Sequence, residues 1–385
     1  MILKFYIRRF IFLISDLLVR VLYSCSGSGD RVLVIRLDAI GDYVLFRNFL
    51  ADIKASDKYK HKKITLVGNI AWREIAEFFD SDVVDDFIWI DRTRFVRNIR
   101  YRFNKLSEIR SCCPSTVIQP TYSREFFLGD SVVNICSARE KIGSVGDCSN
   151  IKSWQKKISD RYYTKLIPAS ESVLFEFDRN KEFFSHLLGS TVVSEKPSMS
   201  NPKGIDLSRF NLPNSYAVFF IGASASFRKW SVYNYSLVAE YIYSKYSFPI
   251  VLCGGPGDVD DAEKFLRGIG CPVVDLVGKT SLVELVSVLS KSEFVISNET
   301  STPHFAVALG VKNIFVISNG NHVVRFSPYP DYISKDYHVA YHPDILSNHE
   351  YYFAGEGAAT ESVLNINDIS SQAVIDLIDS KISIE

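Results

Sequence analysis

The stretch Glu293-Phe-Val-Ile-Ser-Asn-Glu-Thr-Ser-Thr-Pro-His-Phe-Ala-Val-Ala-Leu-Gly310 carries the clearest fold signal in the chain. It opens with a short apolar run, Phe294–Ile296, which is typical of a strand buried in a parallel sheet. Polar residues follow from Ser297 to Thr302, and Pro303–Gly310 has the composition of a helix. Lys312–Ile317 ends in another apolar run and predicts the next strand. The order strand, turn, helix, strand indicates a parallel α/β sheet.

The turn in this stretch has the features of an anion site. Thr302 is the predicted N-cap of the helix, Pro303 its first residue and Gly310 the residue that ends it. Free N–H groups and the helix dipole at such an N-terminus favour a phosphate. Glu299, just before it, could accept hydrogen bonds from ribose or sugar hydroxyls. The alternative is that Ser297–Thr302 is only a capped turn.

Composition bounds the class of protein. The 385 residues are 47% hydrophobic and 23% charged, which indicates a globular chain long enough for two domains. The formal net charge is zero, which argues against a nucleic-acid binder. Seven cysteines are scattered without metal-ligand spacing. We therefore expect a protein of the reducing cytosol without a metal site. GxGxxG, GxxxxGK[ST] and HExxH motifs are absent, which disfavours dehydrogenases, P-loop enzymes and zinc proteases.

The first residues predict an amphipathic helix over residues 2–23. The apolar face has side chains three and four residues apart: Leu3, Ile7, Phe10, Ile14, Leu17 and Val21. The predicted polar face comprises Lys4, Arg8, Asp16 and Arg20. A membrane-spanning helix would place charges in hydrocarbon at about 2.5–3.5 kcal/mol for each central one, whereas a helix lying in the interface costs less. We therefore expect a membrane-surface anchor; the alternative is a helix packed on the protein's own core.

Two carboxylates follow the first predicted strand. Arg31–Leu37 is that strand, and a helix is predicted from about Tyr43 to Ala55. Between them lie Asp38 and Asp42, which either cap the helix or face a ligand crevice at the carboxyl edge of the sheet.

A strongly basic helix is predicted over Thr93–Arg110. It is either a solvated face or a surface that meets phosphorylated lipid or glycan, with Arg94 and Arg97 as candidate contacts.

The strand, loop and helix pattern occurs twice. A proline- and serine-rich segment, Ser190–Leu212, separates the two series and is the predicted linker. The two series predict two doubly wound parallel sheets with a cleft between the domains. In the second, the loops at 222–230, 254–258 and 297–302 are expected at one sheet edge, which favours a bound phosphate compound.

Three segments resemble glycosyltransferase family 9, the bacterial heptosyltransferases. They are Arg36-Leu-Asp-Ala-Ile-Gly-Asp42, the loop Gly222–Trp230 and the stretch Ser297–Gly310, which is similar to the family's Asp-Thr-Gly-x-x-His motif. Residues 254–258 and 276–282 match in kind and order. The resemblance implies a GT-B fold, an α/β architecture of two Rossmann-like doubly wound parallel-sheet domains facing a cleft. It also implies inverting, metal-independent transfer from a nucleotide sugar.

The resemblance also implies site residues. Asp42 would be the general base, with Asp38 as the alternative base or an acceptor contact, and Lys229 would neutralise the leaving diphosphate. Glu299 would bind donor hydroxyls, whereas His304 is either part of the site or structural. The full set of implied donor-binding residues is Ser224, Arg228, Lys229, Asp258, Glu299, Thr300, Ser301, Thr302 and His304. The predicted acceptor-binding residues are Asp38 and, from the basic helix, Arg94 and Arg97. Glu299 and Ser301 depart from the family's more usual Asp and Gly, which puts the identity of the sugar in doubt.

Together these observations predict a helix and linker at 1–29, an acceptor domain at 30–195, a donor domain at 196–360 and a closing helix at 361–385. The expected function is transfer of a sugar, plausibly heptose from ADP-heptose, to lipopolysaccharide core or a related lipid-linked glycan. No cofactor and no nucleic acid are expected, and the protein would sit peripherally on the cytoplasmic face of the bacterial inner membrane. The alternatives are a GT-B transferase of another polysaccharide pathway and a non-catalytic nucleotide-sugar-binding protein.

Overall fold

The structure, a computed structural model, describes residues 2–25, 29–354 and 362–382, without the side chains of residues 2–8 and 190. It divides into two compact units. The first comprises Met1–Glu171 and Phe177–Ser194, and the second comprises Ser172–Glu176 and Glu195–Glu385. Each unit is built around a six-stranded parallel sheet with flanking helices, which confirms the predicted fold class.

The sheet of the first unit has the order β3-β2-β1-β4-β5-β6. Its strands are β1 (Arg31–Arg36), β2 (Lys63–Asn69), β3 (Asp86–Ile90), β4 (Thr116–Gln119), β5 (Glu140–Ser144) and β6 (Lys165–Ile167). All pairs are parallel. The central strand β1 is buried from Val32 to Arg36, as expected for a strand with helices on both faces.

The helices of this unit follow its strands. They are α1 (Ile2–Leu22), α2 (Ile40–Val44), α3 (Asn48–Ala55), α4 (Arg73–Phe79), α5 (Arg92–Phe95), α6 (Ile99–Ser111), α7 (Gly129–Ile135), α8 (Ser153–Ser159) and α9 (Glu176–Leu188). Leu33 and Ile35 of β1 pack with Leu106 of α6 and Val132 of α7 in one buried cluster. The chain returns over the sheet, so the carboxyl ends of the parallel strands share one edge.

The sheet of the second unit has the order β12-β11-β10-β7-β8-β9. Its strands are β7 (Ala217–Phe220), β8 (Ile250–Cys253), β9 (Val273–Asp275), β10 (Phe294–Asn298), β11 (Ile314–Ser318) and β12 (Tyr337–Tyr341). All of these pairs are also parallel.

The helices of the second unit cover both faces of its sheet. They are α10 (Val232–Tyr246), α11 (Val259–Arg267), α12 (Leu282–Leu289), α13 (Ser301–Leu309), α14 (Pro343–Ser347), α15 (His349–Phe353) and α16 (Ser371–Lys381). Phe219, Leu252 and Ile296 are wholly buried in the core, which also contains Val374 and Ile378 of the closing helix α16.

Several predicted helices differ from the observed ones. The helix predicted from Tyr43 to Ala55 is two helices, α2 and α3, and the one predicted over Thr93–Arg110 is α5 and α6. In the second case Asn98 caps α6 by accepting a hydrogen bond from the Tyr101 amide at 3.0 Å, so the helix restarts there. The predicted N-cap Thr302 is also wrong, because α13 begins at Ser301.

The helix α1 itself was predicted correctly, but the position of Asp16 on an exposed polar face was not. Asp16 is buried and forms a 2.7 Å ion pair with Arg102 of α6, and Phe12 and Val19 are buried beside it. Helix α1 therefore packs on its own unit with the Asp16 side, as the alternative interpretation held. The predicted apolar face points away from that contact: Phe10, Ile14, Leu17 and Val21 are exposed. Leu3, Lys4, Ile7 and Arg8 lie outside the described side chains.

Among the described residues, no helix is both long enough and apolar enough to span a bilayer.

Candidate active site

The candidate donor site lies at the carboxyl edge of the second sheet, where the loops after β7, β8, β10 and β11 meet. The first of these loops contains a short 3₁₀ turn, Ser226–Arg228, and the third runs straight into the N-terminus of α13. Parallel sheets bind ligands at this edge because the strand ends leave loops free to surround them.

Two buried asparagines hold these loops together. The Asn298 side chain donates to the carbonyls of Ile221 and Gly222 at 2.9 and 3.2 Å and accepts from the Trp230 amide at 3.0 Å. The Asn319 side chain donates to the Phe227 carbonyl at 2.9 Å. The loop at 222–230 is thus fixed at both ends.

The N-terminus of α13 presents free amides. Thr300 is the N-cap, and its hydroxyl accepts from the Thr302 amide at 3.3 Å. Ser301 is the first helical residue. The Thr302 hydroxyl is buried and, in the described structure, has no hydrogen-bond partner. An unpaired buried hydroxyl costs about 1–3 kcal/mol, so a ligand that accepts its hydrogen bond would gain that energy.

Glu299 is a buried carboxyl next to this N-terminus. Its Oε2 accepts a 2.5 Å hydrogen bond from the Ser318 hydroxyl at the end of β11. Burial raises its pKa to about 7, and the Ser318 hydrogen bond and the Arg228 charge oppose this only in part. A carboxyl with this pKa can donate or accept a hydrogen bond to a hydroxyl at neutral pH.

Arg228 connects the loop after β7 to the loop after β10. Its Nη1 donates to the Glu299 carbonyl at 3.3 Å and its Nη2 to the Ser224 hydroxyl at 2.6 Å. Its Nε is buried without a partner among the described atoms. The guanidinium is therefore fixed at the sheet edge and has a donor left over for an anion.

Lys229 is held by two carboxylates. Its Nζ lies 2.5 Å from Asp258 Oδ1 and 3.2 Å from Asp261 Oδ2. The hydrogen bond that Lys229 donates to Asp258 is the largest cause that raises the Lys229 pKa, so the ammonium stays charged. Asp258 also accepts from the Gly255 amide at 2.9 Å and lies so close to Gly222 that a Cβ there would come within 2.4 Å of its carboxylate. Glycine at 222 lets the two loops meet.

His304 is placed for packing. Its Nδ1 lies 2.8 Å from the Tyr329 hydroxyl, and the ring contacts Phe326 edge to face at 6.3 Å. Burial lowers its pKa to about 4, so the ring is neutral. Of the two interpretations open for this residue, the contacts favour the structural one: His304 holds the segment after β11 against α13.

The edge of the first sheet carries the predicted base. Arg36, the last residue of β1, is wholly buried, with its Nε 2.8 Å from Asp38 and its Nη2 3.9 Å from Asp42. Arg36 also donates to the Asn180 side chain at 3.0 Å. Asp42 lies in the first turn of α2, where its Oδ2 accepts from the Ala39 amide at 3.2 Å. Both carboxylates remain partly exposed, at 20% and 19%.

A second arginine reaches the same edge. Arg92 donates two hydrogen bonds to Glu125, at 2.7 and 3.0 Å, and one to the Leu37 carbonyl at 2.9 Å. Burial raises the pKa of Glu125, opposed by Arg92 and supported by the charge of Asp38. Thr121 donates to the Asp38 carboxylate at 3.3 Å. The edge of the first sheet thus contains the carboxyl groups of Asp38, Asp42 and Glu125 paired with the guanidinium groups of Arg36 and Arg92.

The two predicted acceptor arginines lie outside this cluster. Arg94 stacks on the Tyr101 ring, with its Cζ 4.5 Å from the centroid, and Arg97 is exposed in the turn between α5 and α6. The arginine of this segment that contacts the strand-end cluster is Arg92.

Sequence reasoning missed Arg36, Arg92, Asn298 and Asn319. The only signal for Arg36 and Asn298 was a polar residue at the end of an otherwise apolar strand. Neither position suggests which group the side chain would bind.

Among the described residues, no group of three or more His, Cys, Asp or Glu side chains could hold a metal ion.

Comparison with known proteins gives a family match over part of the chain. Residues 176–334 match the sequence profile of Glycosyltransferase family 9 (heptosyltransferase), a region that covers less than half of the chain but includes the whole edge formed by Arg228, Lys229, Glu299 and α13. No curated protein matches.

Solved structures share the fold over nearly the whole chain. A glycosyl transferase family 9 structure from Veillonella parvula superposes with a TM-score of 0.69 at 16% identity, over 91% of this chain and 96% of that one. The E. coli heptosyltransferase WaaC with ADP-2-deoxy-2-fluoro heptose gives a TM-score of 0.65 at 16% identity, over 91% of this chain and 100% of that one. E. coli ADP-heptose lps heptosyltransferase II gives a TM-score of 0.63 at 14% identity, over 91% and 98%.

The fold of two parallel six-stranded sheets is therefore the GT-B fold seen in these structures. Residues 176–334 carry the family's own sequence pattern, and the rest of the chain completes its architecture. Residues 176–334 are thus similar to glycosyltransferase family 9, and the chain as a whole shares the fold of solved structures of that family.

Proposed function

We propose that the protein is an inverting, metal-independent glycosyltransferase that moves heptose from ADP-heptose to lipopolysaccharide core or a related lipid-linked glycan. The observation that carries this proposal is the edge of the second sheet. There a buried carboxyl, a helix N-terminus and two cations surround one position, a set of groups that suits a sugar diphosphate.

The diphosphate would bind at the start of α13. The backbone amides at the start of α13 and the unpaired Thr302 hydroxyl would donate to phosphate oxygens. Lys229 and Arg228 supply positive charge. The negative charge that develops on the leaving diphosphate is stabilised by these groups, which take the role of a divalent cation.

Glu299 would hold hydroxyls of the donor. The E. coli structures with ADP and with ADP-2-deoxy-2-fluoro heptose support an adenosine diphosphate donor here. Glu299 and Ser301 are the two positions at which the sequence departs from the resemblance, so the sugar is the part of the proposal that most needs a direct test.

Asp42 would be the base. Its carboxylate takes the proton of the acceptor hydroxyl, and that oxygen forms a bond to the anomeric carbon. The bond from the anomeric carbon to the diphosphate oxygen breaks with inversion, and the electron pair leaves on the diphosphate. Arg36 would keep the Asp42 carboxylate in position through its contacts with Asp38, Asp42 and Asn180.

The acceptor is proposed to be a lipid-linked glycan, and the protein to work peripherally on the cytoplasmic face of the bacterial inner membrane. The support for this placement is helix α1, whose outer side is apolar and exposed.

A donor panel tests the proposal. Purified protein is incubated with acceptor glycan and ADP-heptose, GDP-sugars or UDP-sugars, and product is measured by mass spectrometry. Product from ADP-heptose alone, with no loss of rate in EDTA, is the expected result. Product from GDP- or UDP-sugars instead would support a transferase of another polysaccharide pathway. Donor binding without any product would support a non-catalytic binding protein, and a requirement for a metal ion would contradict the role given to Lys229.

A further inference from the structure

The outer side of α1 is a mostly apolar surface. Eight large side chains between residues 10 and 22 are exposed: Phe10, Ile11, Leu13, Ile14, Leu17, Leu18, Val21 and Leu22. Val21 is 72% exposed and Leu17 56%. Between Phe10 and Leu22 only Asp16 and Arg20 are charged, and Asp16 is buried. Contiguous apolar patches of this kind on a soluble protein mark a contact surface.

The contacts of Asp16 fix which side of α1 faces outward. Arg102 binds both carboxylate oxygens of Asp16, at 2.8 and 2.7 Å, and also donates to the Phe127 carbonyl and the Ser131 hydroxyl, at 2.8 and 2.7 Å. Its guanidinium lies 4.8 Å from the Phe12 ring centroid. Rotating α1 to bury the apolar side would expose this pair and break its hydrogen bonds. The exposed apolar side is therefore the arrangement that the packing enforces.

A chain of aromatic contacts links α1 to α8. The Phe12 ring contacts Phe127 at 6.3 Å, Phe127 contacts Phe126 at 4.9 Å, and Phe126 contacts Trp154 of α8 at 6.2 Å. Trp154 is 54% exposed, and Ile158, one helical turn later, is 40% exposed. Trp154 and Ile158 thus add exposed apolar side chains on the same unit, and a half-exposed tryptophan is typical of proteins that rest on a membrane interface.

The charged residues in the segment 2–25 are mostly basic. Residues 2–25 contain Lys4, Arg8, Arg9 and Arg20 against one acid, Asp16. That acid is already neutralised within the protein by Arg102. On the α8 side, Lys157 and Arg161 are exposed next to Trp154 and Ile158. An apolar patch with a basic border complements an anionic lipid surface, whereas two copies of it would repel each other.

We infer that the first unit docks on an anionic lipid leaflet through the outer side of α1, with the helix lying in the plane of the interface and Trp154 and Ile158 beside it. The inference extends the membrane placement in the proposed function. It rests on that proposed function, because an enzyme with a lipid-linked acceptor has to work at the membrane surface. The inference adds which face of the protein contacts the membrane and that this face prefers anionic lipids.

Vesicle flotation tests the inference. Full-length protein is mixed with phosphatidylcholine vesicles with or without phosphatidylglycerol. We expect binding to the anionic vesicles, weakened by added salt, and at least about tenfold lower partitioning for the double variant L17E/V21E. V193E is the control, since Val193 is 75% exposed and its amide donates to Asp52 of α3, and it should bind as the wild type does. The variant K157E/R161E should lose the preference for anionic vesicles while its apolar face is intact.

Three results would overturn the inference: no flotation of the wild type, equal flotation of L17E/V21E, or a dimer in light scattering that L17E/V21E dissociates while no form of the protein binds vesicles. Transfer to a lipid-free acceptor fragment separates this inference from the proposed function. If L17E/V21E transfers normally to that fragment but does not float, both stand. If the wild type floats and transfers nothing from any donor, the proposed transfer fails and the docking surface stands.

Discussion

At the scale of single residues, Glu299 makes stability depend on pH. Burial raises its pKa from 4.5 to about 7, so the folded protein holds this proton more tightly than the unfolded chain does. The free energy of unfolding therefore falls as the pH rises from about 4.5 to about 7. E299Q carries no such charge. We expect its stability relative to wild type to increase over this range, by at most on the order of 3 kcal/mol, and to level off above it.

Urea denaturation of both proteins at several pH values measures this difference. His304 and His322, whose pKa values burial lowers to about 4, titrate in both proteins and so cancel in the comparison. A difference that stays constant with pH would mean that Glu299 does not titrate in this range.

Lys229 is predicted to bind the diphosphate. A lost charge-assisted hydrogen bond of about 1.5–3 kcal/mol corresponds to a drop in ADP affinity of roughly 10- to 150-fold for K229A. K279A is the matched control, because Lys279 forms a 2.5 Å ion pair with Asp275 on an exposed turn. Calorimetry with ADP should give wild-type affinity for K279A. If K229A also keeps its affinity, the pair with Asp258 is only structural.

Residues differ in how far the sequence predicts them. Glu299 and Asp42 stand at strand ends, and their position alone made them candidates. Arg36 was not recognised, because its role depends on Asn180, which lies 144 residues away along the chain. Asn298 likewise acts through a loop 76 and 77 residues earlier. Contacts between residues so far apart in sequence depend on the topology of the fold, so the local sequence pattern does not predict them.

At the scale of elements, one substitution at the N-terminus of α13 is predicted to affect stability and ADP affinity in opposite directions. T302V removes a buried hydroxyl that has no partner among the described groups. We expect unchanged or slightly higher stability, by up to about 1 kcal/mol, because an unsatisfied polar atom is lost. ADP affinity should fall roughly tenfold, because a donor to phosphate is lost with it. Thermal unfolding and calorimetry measure the two effects; unchanged affinity would remove Thr302 from the phosphate site.

Helix α1 depends on a buried ion pair. R102M leaves the Asp16 charge buried alone and should destabilise the protein by about 3–5 kcal/mol. The double variant D16L/R102M removes both charges and should recover a large part of that loss. Urea denaturation of the single and double variants tests this; equal destabilisation by both would show that the pair is not what holds α1.

The boundary at Asn98 was missed although the sequence contains a signal for it. Asn98 stops the predicted basic helix and starts α6, and a residue that caps helices well was visible there in the sequence. Asp16 gave no such signal. Helical periodicity grouped it with the charged residues, and only the tertiary contact with Arg102 places it inside.

At the scale of the whole molecule, the central strands of both sheets were predicted, whereas β5, β6 and β12 were not. β1, β7 and β10 are apolar runs buried on both faces, a pattern that the sequence displays directly. β6 has only three residues, and β12, Tyr337–Tyr341, is partly exposed and mixed in composition. Edge strands need less apolar surface, so their signal is weaker.

Replacement of the proposed base tests the central claim most directly. Transfer from ADP-heptose is measured for wild type, D42N and D38N, together with the affinity of each for ADP. We predict that D42N lowers kcat by about 10²- to 10⁴-fold with unchanged ADP affinity, and that D38N is affected less. Transfer by D42N within a few-fold of wild type, with ADP binding intact, would contradict the account.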